Sequence, residues 1–174
     1  MTRETRPTQA RRPLYTAQER ARRDATVWTL VQGILAPVQF IIFAISLVLV
    51  LRYLATGEGY ALATVSIVAK TLALYAIMMT GAIWEKAVFG RYLLAPAFFW
   101  EDVVSFAVIA LHTAYLAALL GGWLDSRGLM LLALVAYASY AINATQFLLK
   151  LRAARRDGTD TSGSGDPATP AVPV

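Results

Sequence analysis

Four apolar stretches of about 20 to 25 residues run through this sequence and limit its fold more than any other feature. They cover residues 27–51, 61–84, 103–124 and 129–149, and each is long enough to cross a hydrocarbon core of about 30 Å as an α-helix. The connections between them are short, so consecutive helices should pack antiparallel. The sequence therefore predicts an all-α fold, an integral membrane four-helix bundle.

The charged residues divide the chain into three parts. Residues 1–24 carry most of the arginines and are predicted to be a basic cytoplasmic arm, residues 25–156 are the transmembrane domain, and residues 157–174 have the composition of a disordered tail. Hydrophobic residues make up 57% of the chain, more than a soluble domain of this size normally carries. Lipid is therefore the expected solvent for most of its surface.

The distribution of Lys and Arg predicts the orientation. Seven precede the first stretch, two lie between the second and third, and four follow the last, all on one side of the membrane. The other side holds only Arg52 and Arg127. The positive-inside rule then places both the N and C termini in the cytoplasm.

The residue inventory excludes several kinds of site. The chain has no cysteine and one histidine, so disulfides, iron–sulfur clusters and metal centres with several imidazole ligands are ruled out. It also has no glycine-rich nucleotide-binding loop. We therefore expect no cofactor and no nucleic-acid partner, and any metal should arrive as part of a ligand.

An aromatic segment, residues 87–100, follows the second stretch and includes Phe99 and Trp100. It is too short and too polar to span a membrane, and aromatic rings favour the headgroup zone. We therefore expect an interfacial segment between helices 2 and 3. Whether it is a plain aromatic belt or a platform for a ligand stays open.

Two ionisable residues, Lys70 and His112, fall inside predicted spans, where charge is costly and usually functional. His112 either bonds a neighbouring helix or serves as a pigment ligand or proton carrier. Lys70 either contacts a substrate or extends its stem toward the headgroups. Gln146, in the last span, is a packing residue or a further substrate contact.

Three carboxylates, Glu85, Glu101 and Asp102, lie at the cytoplasmic ends of the second and third spans. Glu85 ends a helix, where the negative pole of the dipole opposes ionisation, whereas the other two begin one. Glu85 is therefore expected to be the better proton donor. Glu101 and His112 are about three turns apart and should share a helix face. The alternative is that all three acids only anchor helix ends.

Five strings resemble the 3-vinyl bacteriochlorophyllide hydratase family, also called the 2-vinyl family. They are RRDATVWTLVQGILAP (22–37), LRYLATGEG (51–59), GAIWEK (81–86), APAFFWED (95–102) and LHTAY (111–115). The resemblance covers Pro13 to Arg156, and it includes many polar positions within the spans.

The resemblance implies a hydro-lyase of bacteriochlorophyll synthesis. It would add water to the vinyl group of a magnesium chlorophyllide or bacteriochlorophyllide, giving a 1-hydroxyethyl group. Its place would be the bacterial inner, intracytoplasmic membrane, in contact with lipid and in association with other pigment-synthesis enzymes. The family supplies no catalytic residues, so the site is interpreted from this sequence alone.

Our hypothesis is that Glu85 protonates the vinyl group while Glu101 or Asp102 orients and deprotonates the water. The macrocycle would lie against Phe99 and Trp100, with Lys70 and Gln146 as further contacts and His112 as a candidate ligand of its magnesium. The competing hypothesis is a non-enzymatic pigment-binding or assembly protein. A proton-coupled exporter is disfavoured because no Asp or Glu lies inside a span.

Overall fold

The structure, a computed structural model, describes residues 14–162, with side chains described up to residue 153. This part of the chain is entirely helical and contains no strand. The helices are α1 (Ala17–Ala25), α2 (Val27–Thr56), α3 (Tyr60–Phe89), α4 (Phe99–Gly121) and α5 (Ser126–Ser162). Residues 1–13 of the predicted arm and 163–174 of the predicted tail lie outside the described residues.

The predicted all-α fold and its four apolar helices are confirmed. Helices α2, α3, α4 and the part of α5 up to Ala153 are each long and apolar enough to cross a membrane. They are therefore four spans of a multi-pass membrane protein. With 30 residues each, α2 and α3 are about 45 Å long, so their ends project beyond a hydrocarbon core of about 30 Å.

Local sequence explains where the helices begin and end. Thr16 caps α1 in a capping box with Glu19, and Thr26 both ends α1 and accepts a bond from the N–H of Trp28 at the start of α2. Gly90 ends α3 with a φ of 81°, a left-handed conformation that favours glycine. Helix α1 was not predicted. Tyr15, just before this helix, packs with Val88 and Phe98.

The bundle consists of two helical hairpins. Helix α2 packs mainly on α3 and α4 mainly on α5, while contacts between the two hairpins are fewer. Polar side chains join the hairpins inside the bundle: the hydroxyls of Ser46 and Tyr137 lie 2.6 Å apart. Within the second hairpin, the Asn143 amide donates to the Ser105 hydroxyl at 2.8 Å. Hydrogen bonds therefore supply part of the cohesion that apolar packing cannot supply in lipid.

Tyr53 joins the hairpins at one end of the bundle, where its hydroxyl donates to Ser126 Oγ at 2.7 Å. We expect Tyr53→Phe to lower the free energy of unfolding by about 0.5–1.5 kcal/mol, the usual contribution of one hydrogen bond. Thermal unfolding of the detergent-solubilised protein measures this. Tyr92→Phe is the control, because the Tyr92 side chain is exposed. Equal unfolding midpoints for the two variants would contradict the assigned role.

Candidate active site

Two buried carboxyl groups from different hairpins meet at one end of the bundle. Glu85 lies in the last turns of α3 and Asp102 in the first turn of α4, and both side chains are at most 5% exposed. The two groups are close enough for each to influence the ionisation of the other. The prediction that short connections bring the acidic helix ends together therefore holds for this pair.

The loop between α3 and α4 binds both carboxyl groups through its backbone. The N–H of Leu94 donates to Asp102 Oδ2 at 2.7 Å, and the N–H of Ala95 donates to Glu85 Oε2 at 3.1 Å. Leu94 has a φ of 58° and is the one non-glycine residue with positive φ in the described part of the chain. Such backbone strain is typical of functional sites, because the surroundings must hold it in place.

Glu101 is next to Asp102 in sequence but does not join the pair. Its carboxylate accepts a bond from Lys150 Nζ on α5 at 2.6 Å. The same ammonium lies 5.0 Å from the centre of the Phe98 ring. Glu101 is therefore held in an ion pair that closes the second hairpin, and of the three predicted acids only Glu85 and Asp102 share a site.

The aromatic residues divide into a buried and an exposed set. Phe98 is buried and packs against Trp84, Phe89 and Phe147 beside the carboxyl pair. Phe99 and Trp100, which were predicted to contact the substrate, are 41% and 71% exposed on the outer surface. Phe98 is therefore the buried ring of this segment, and its carbonyl oxygen accepts a bond from the N–H of Asp102 at 3.0 Å.

Deeper in the bundle, Lys70 and His112 are fully buried. Lys70 Nζ lies 3.8 Å from the centre of the Tyr140 ring and has no hydrogen-bond partner among the described residues. His112 Nδ1 is 2.8 Å from the carbonyl oxygen of Val108. Helix α4 includes both Glu101 and His112, as predicted, and both are buried. Gln146 is half-buried, and its amide oxygen is also without a partner there.

The described residues include no cluster of three side chains able to hold a metal ion. A cavity of about 220 Å³ lies between α2 and α5 and is lined by Phe43, Leu47, Leu134, Tyr137, Ala138 and Ala141. None of the predicted site residues lines it. It is smaller than the roughly 300–1,000 Å³ of typical ligand pockets, so it does not by itself enclose a large flat ligand.

Sequence reasoning missed three residues that shape this site. Leu94 gave no signal, because a leucine does not indicate positive φ. Lys150 was counted only for topology, although a lysine at the end of the last helix was available to pair with an acid at the start of the third. Tyr137, a tyrosine inside a span, was a detectable signal, since a buried hydroxyl normally has a partner.

Comparison with known proteins supports the resemblance found in the sequence. The family model of 2-vinyl bacteriochlorophyllide hydratase matches residues 15–153. The chain is 70% identical over 154 residues to the 2-vinyl bacteriochlorophyllide hydratase of Cereibacter sphaeroides, covering 88% of this chain and 95% of that one. It is 69% identical over 146 residues to the protein of that name from Rhodobacter capsulatus, covering 84% and 85%.

No solved structure matches the chain. The matched region contains all four spans, both members of the carboxyl pair and the loop that binds them. Since the family model covers most of the sequence and both relatives are matched along nearly their whole length, the chain belongs to the 2-vinyl bacteriochlorophyllide hydratase family.

Proposed function

We propose that this enzyme hydrates the vinyl group of a magnesium chlorophyllide or bacteriochlorophyllide, with Glu85 as the acid and Asp102 as the base. The hydratase role in bacteriochlorophyll synthesis comes from the family. The roles of the residues rest on one observation, that consecutive N–H groups of one loop bind the buried carboxyl groups of Glu85 and Asp102.

The two backbone bonds indicate which carboxyl group carries the proton. Two carboxylates in contact and away from bulk water repel each other, so the pair is most stable with one shared negative charge. The bond from Leu94 to Asp102 is shorter than the bond from Ala95 to Glu85, as expected where the acceptor is charged. We therefore assign the charge to Asp102 and the proton to Glu85.

The reaction then needs no redox step. Glu85 transfers its proton to the terminal carbon of the vinyl group, and the resulting cation is delocalised into the macrocycle. Water adds to the inner carbon as Asp102 accepts its proton, which leaves a 1-hydroxyethyl group. Because adjacent N–H groups of the loop hold the two acids side by side, that proton can return to Glu85, so each turnover consumes one water and restores the site.

The proposed orientation places the carboxyl pair near the aqueous phase from which this water comes. Lys86 and Arg91 lie beside the carboxyl pair in sequence, and the positive-inside rule places that end of the bundle, with both termini, in the cytoplasm. The pair would then lie at the wet boundary of the bacterial inner membrane, with the aromatic segment at the interface. Association with other enzymes of pigment synthesis belongs to the same proposal.

The sequence left open whether Glu101 or Asp102 activates the water, and the structure gives Glu101 a different partner. Its ion pair with Lys150 compensates its charge, so we assign activation of water to Asp102 alone. Phe98 replaces Phe99 and Trp100 as the ring beside which the macrocycle lies. Lys70 and Gln146 face it from deeper in the bundle.

We expect Glu85→Gln to lower kcat by about 10²- to 10⁴-fold, the usual contribution of general acid catalysis, because glutamine keeps the shape but cannot donate the proton. Asp102→Asn should lower kcat by a similar factor. Turnover is measured in membranes as conversion of a vinyl chlorophyllide to a product heavier by one water.

Glu101→Gln is the matched control, since it removes a carboxylate from the same end of the bundle and should keep kcat near normal. Near-normal turnover in Glu85→Gln, or a larger loss in Glu101→Gln, would show that the acid is assigned wrongly. Pigment binding without any gain of water by the wild-type protein would favour the non-enzymatic alternative.

The strained loop gives a second prediction. Leu94→Gly should keep near-normal turnover, because glycine adopts positive φ without steric cost. Leu94→Pro removes the N–H that binds Asp102 and imposes a negative φ, so kcat should fall by about 10²-fold or more. Equal activity in these two variants, at equal amounts of folded protein, would contradict a role for the Leu94 N–H.

Lys70 is proposed to orient the macrocycle. A chlorophyllide has a free propionate carboxylate, and the buried ammonium of Lys70 has no anionic partner among the described residues. The wild-type enzyme should have a KM for the free acid about tenfold lower than for its methyl ester, as expected for one charged hydrogen bond. Lys70→Met should lose this difference, whereas Lys86→Met at the exposed helix end should keep it.

A further inference from the structure

We propose that His112 Nε2 is the axial ligand of the magnesium in the bound macrocycle. This proposal rests on the proposed function, because the substrate class supplies the metal. It concerns a ring nitrogen that is buried and has no hydrogen-bond partner within the described residues.

The contact with Val108 determines which nitrogen of His112 is free. Nδ1 lies 2.8 Å from the Val108 carbonyl oxygen, and a carbonyl can only accept a hydrogen bond. Nδ1 therefore carries the hydrogen, and in the neutral ring Nε2 has a lone pair. Metal-binding histidines are commonly oriented in this way, with the second ring nitrogen donating to a backbone carbonyl.

The lone pair of Nε2 is buried and unused. His112 is fully buried, and Nε2 has no hydrogen-bond partner within the described residues. The nearby Lys70 ammonium lies against the Tyr140 ring instead. A polar atom left unsatisfied at membrane depth costs free energy, so this geometry favours a ligand that accepts an electron pair.

A magnesium macrocycle provides such a ligand. Its four ring nitrogens occupy the equatorial positions and leave the axial positions open. A neutral imidazole fills one of them without adding charge to an apolar interior, whereas a carboxylate would bring a charge. His112 is the single histidine of the chain, and no group of three acidic or histidine side chains competes with it among the described residues.

The position of His112 agrees with the proposed chemistry. It lies ten positions after Asp102 on α4, a rise of about 15 Å, and both residues are buried although their side chains point about 80° apart around the helix axis. A macrocycle whose centre is bound at His112 would extend its edge toward the carboxyl pair. The His112 and Tyr137 rings are 5.9 Å apart, and Tyr137 also lines the cavity between α2 and α5. Separation of the hairpins at Tyr137 would open a path to His112.

The test compares binding of a magnesium chlorophyllide with binding of its metal-free form, using purified protein in lipid nanodiscs. We expect wild-type protein to bind the magnesium form about tenfold more tightly or better, equivalent to about 1.4 kcal/mol. His112→Ala should lose this preference, and added imidazole should restore it together with the absorption spectrum of the axially ligated pigment. Phe106→Ala, on the exposed face of the same helix, is the control and should behave as wild type.

A wild-type protein that binds both forms equally would overturn the proposal, and this comparison does not depend on the folding of any variant. Retention of the metal preference by both His112→Ala and His112→Asn would also overturn it. Turnover measured on the same samples separates the two proposals. If the protein hydrates the substrate but shows no metal preference, the roles of the acid pair stand and the ligand role of His112 is wrong. If it shows the metal preference but no hydration, the ligand role stands and the proposed function is wrong.

Discussion

The N–H groups of two consecutive residues, Leu94 and Ala95, bind carboxyl groups that belong to two different helical hairpins, and the geometry of the proposed active site depends on these bonds. Glu85 and Asp102 would repel each other if both were charged, and among residues 14–153 neither forms an ion pair of the kind that joins Glu101 to Lys150. The loop supplies backbone dipoles instead. It can do so only because Leu94 adopts a positive φ, which turns the two N–H groups toward the acids.

The extent of the four spans was predictable from the sequence, because twenty or more apolar residues have few alternatives to a membrane helix. The rotation of each helix about its own axis was not predictable. Glu101 and Asp102 are adjacent, so their side chains point about 100° apart on α4, and a small rotation decides which one meets Glu85. Packing of α4 on α5 and the reach of Lys150 determine that rotation. The same rotation buries Phe98 and leaves Trp100 exposed.

The sequence placed Lys70 and His112 inside the apolar helices, where both are buried, but it did not predict their surroundings. Lys70 had a reasonable alternative in extending toward the headgroups, since its stem is long enough. In the folded bundle its ammonium lies over the ring of Tyr140. The position of that ring relative to α3 depends on how the two hairpins pack. Contacts between distant helices carry no periodic signal in one sequence, and so this part of the site was beyond prediction.

The division into two hairpins explains how one small bundle can accept a large, flat pigment. In lipid, apolar surfaces gain little by meeting each other, so hairpins that pack loosely remain associated through a few polar contacts such as the one between Ser46 and Tyr137. A tightly packed apolar interface would exclude the macrocycle. Unpartnered groups along the interior, including Lys70 Nζ and His112 Nε2, lower the stability of the empty bundle, and a ligand that satisfies them recovers it. Under the proposed function, ligand binding would therefore stabilise the bundle, whereas the carboxyl pair is shielded by the protein itself, with both residues at most 5% exposed.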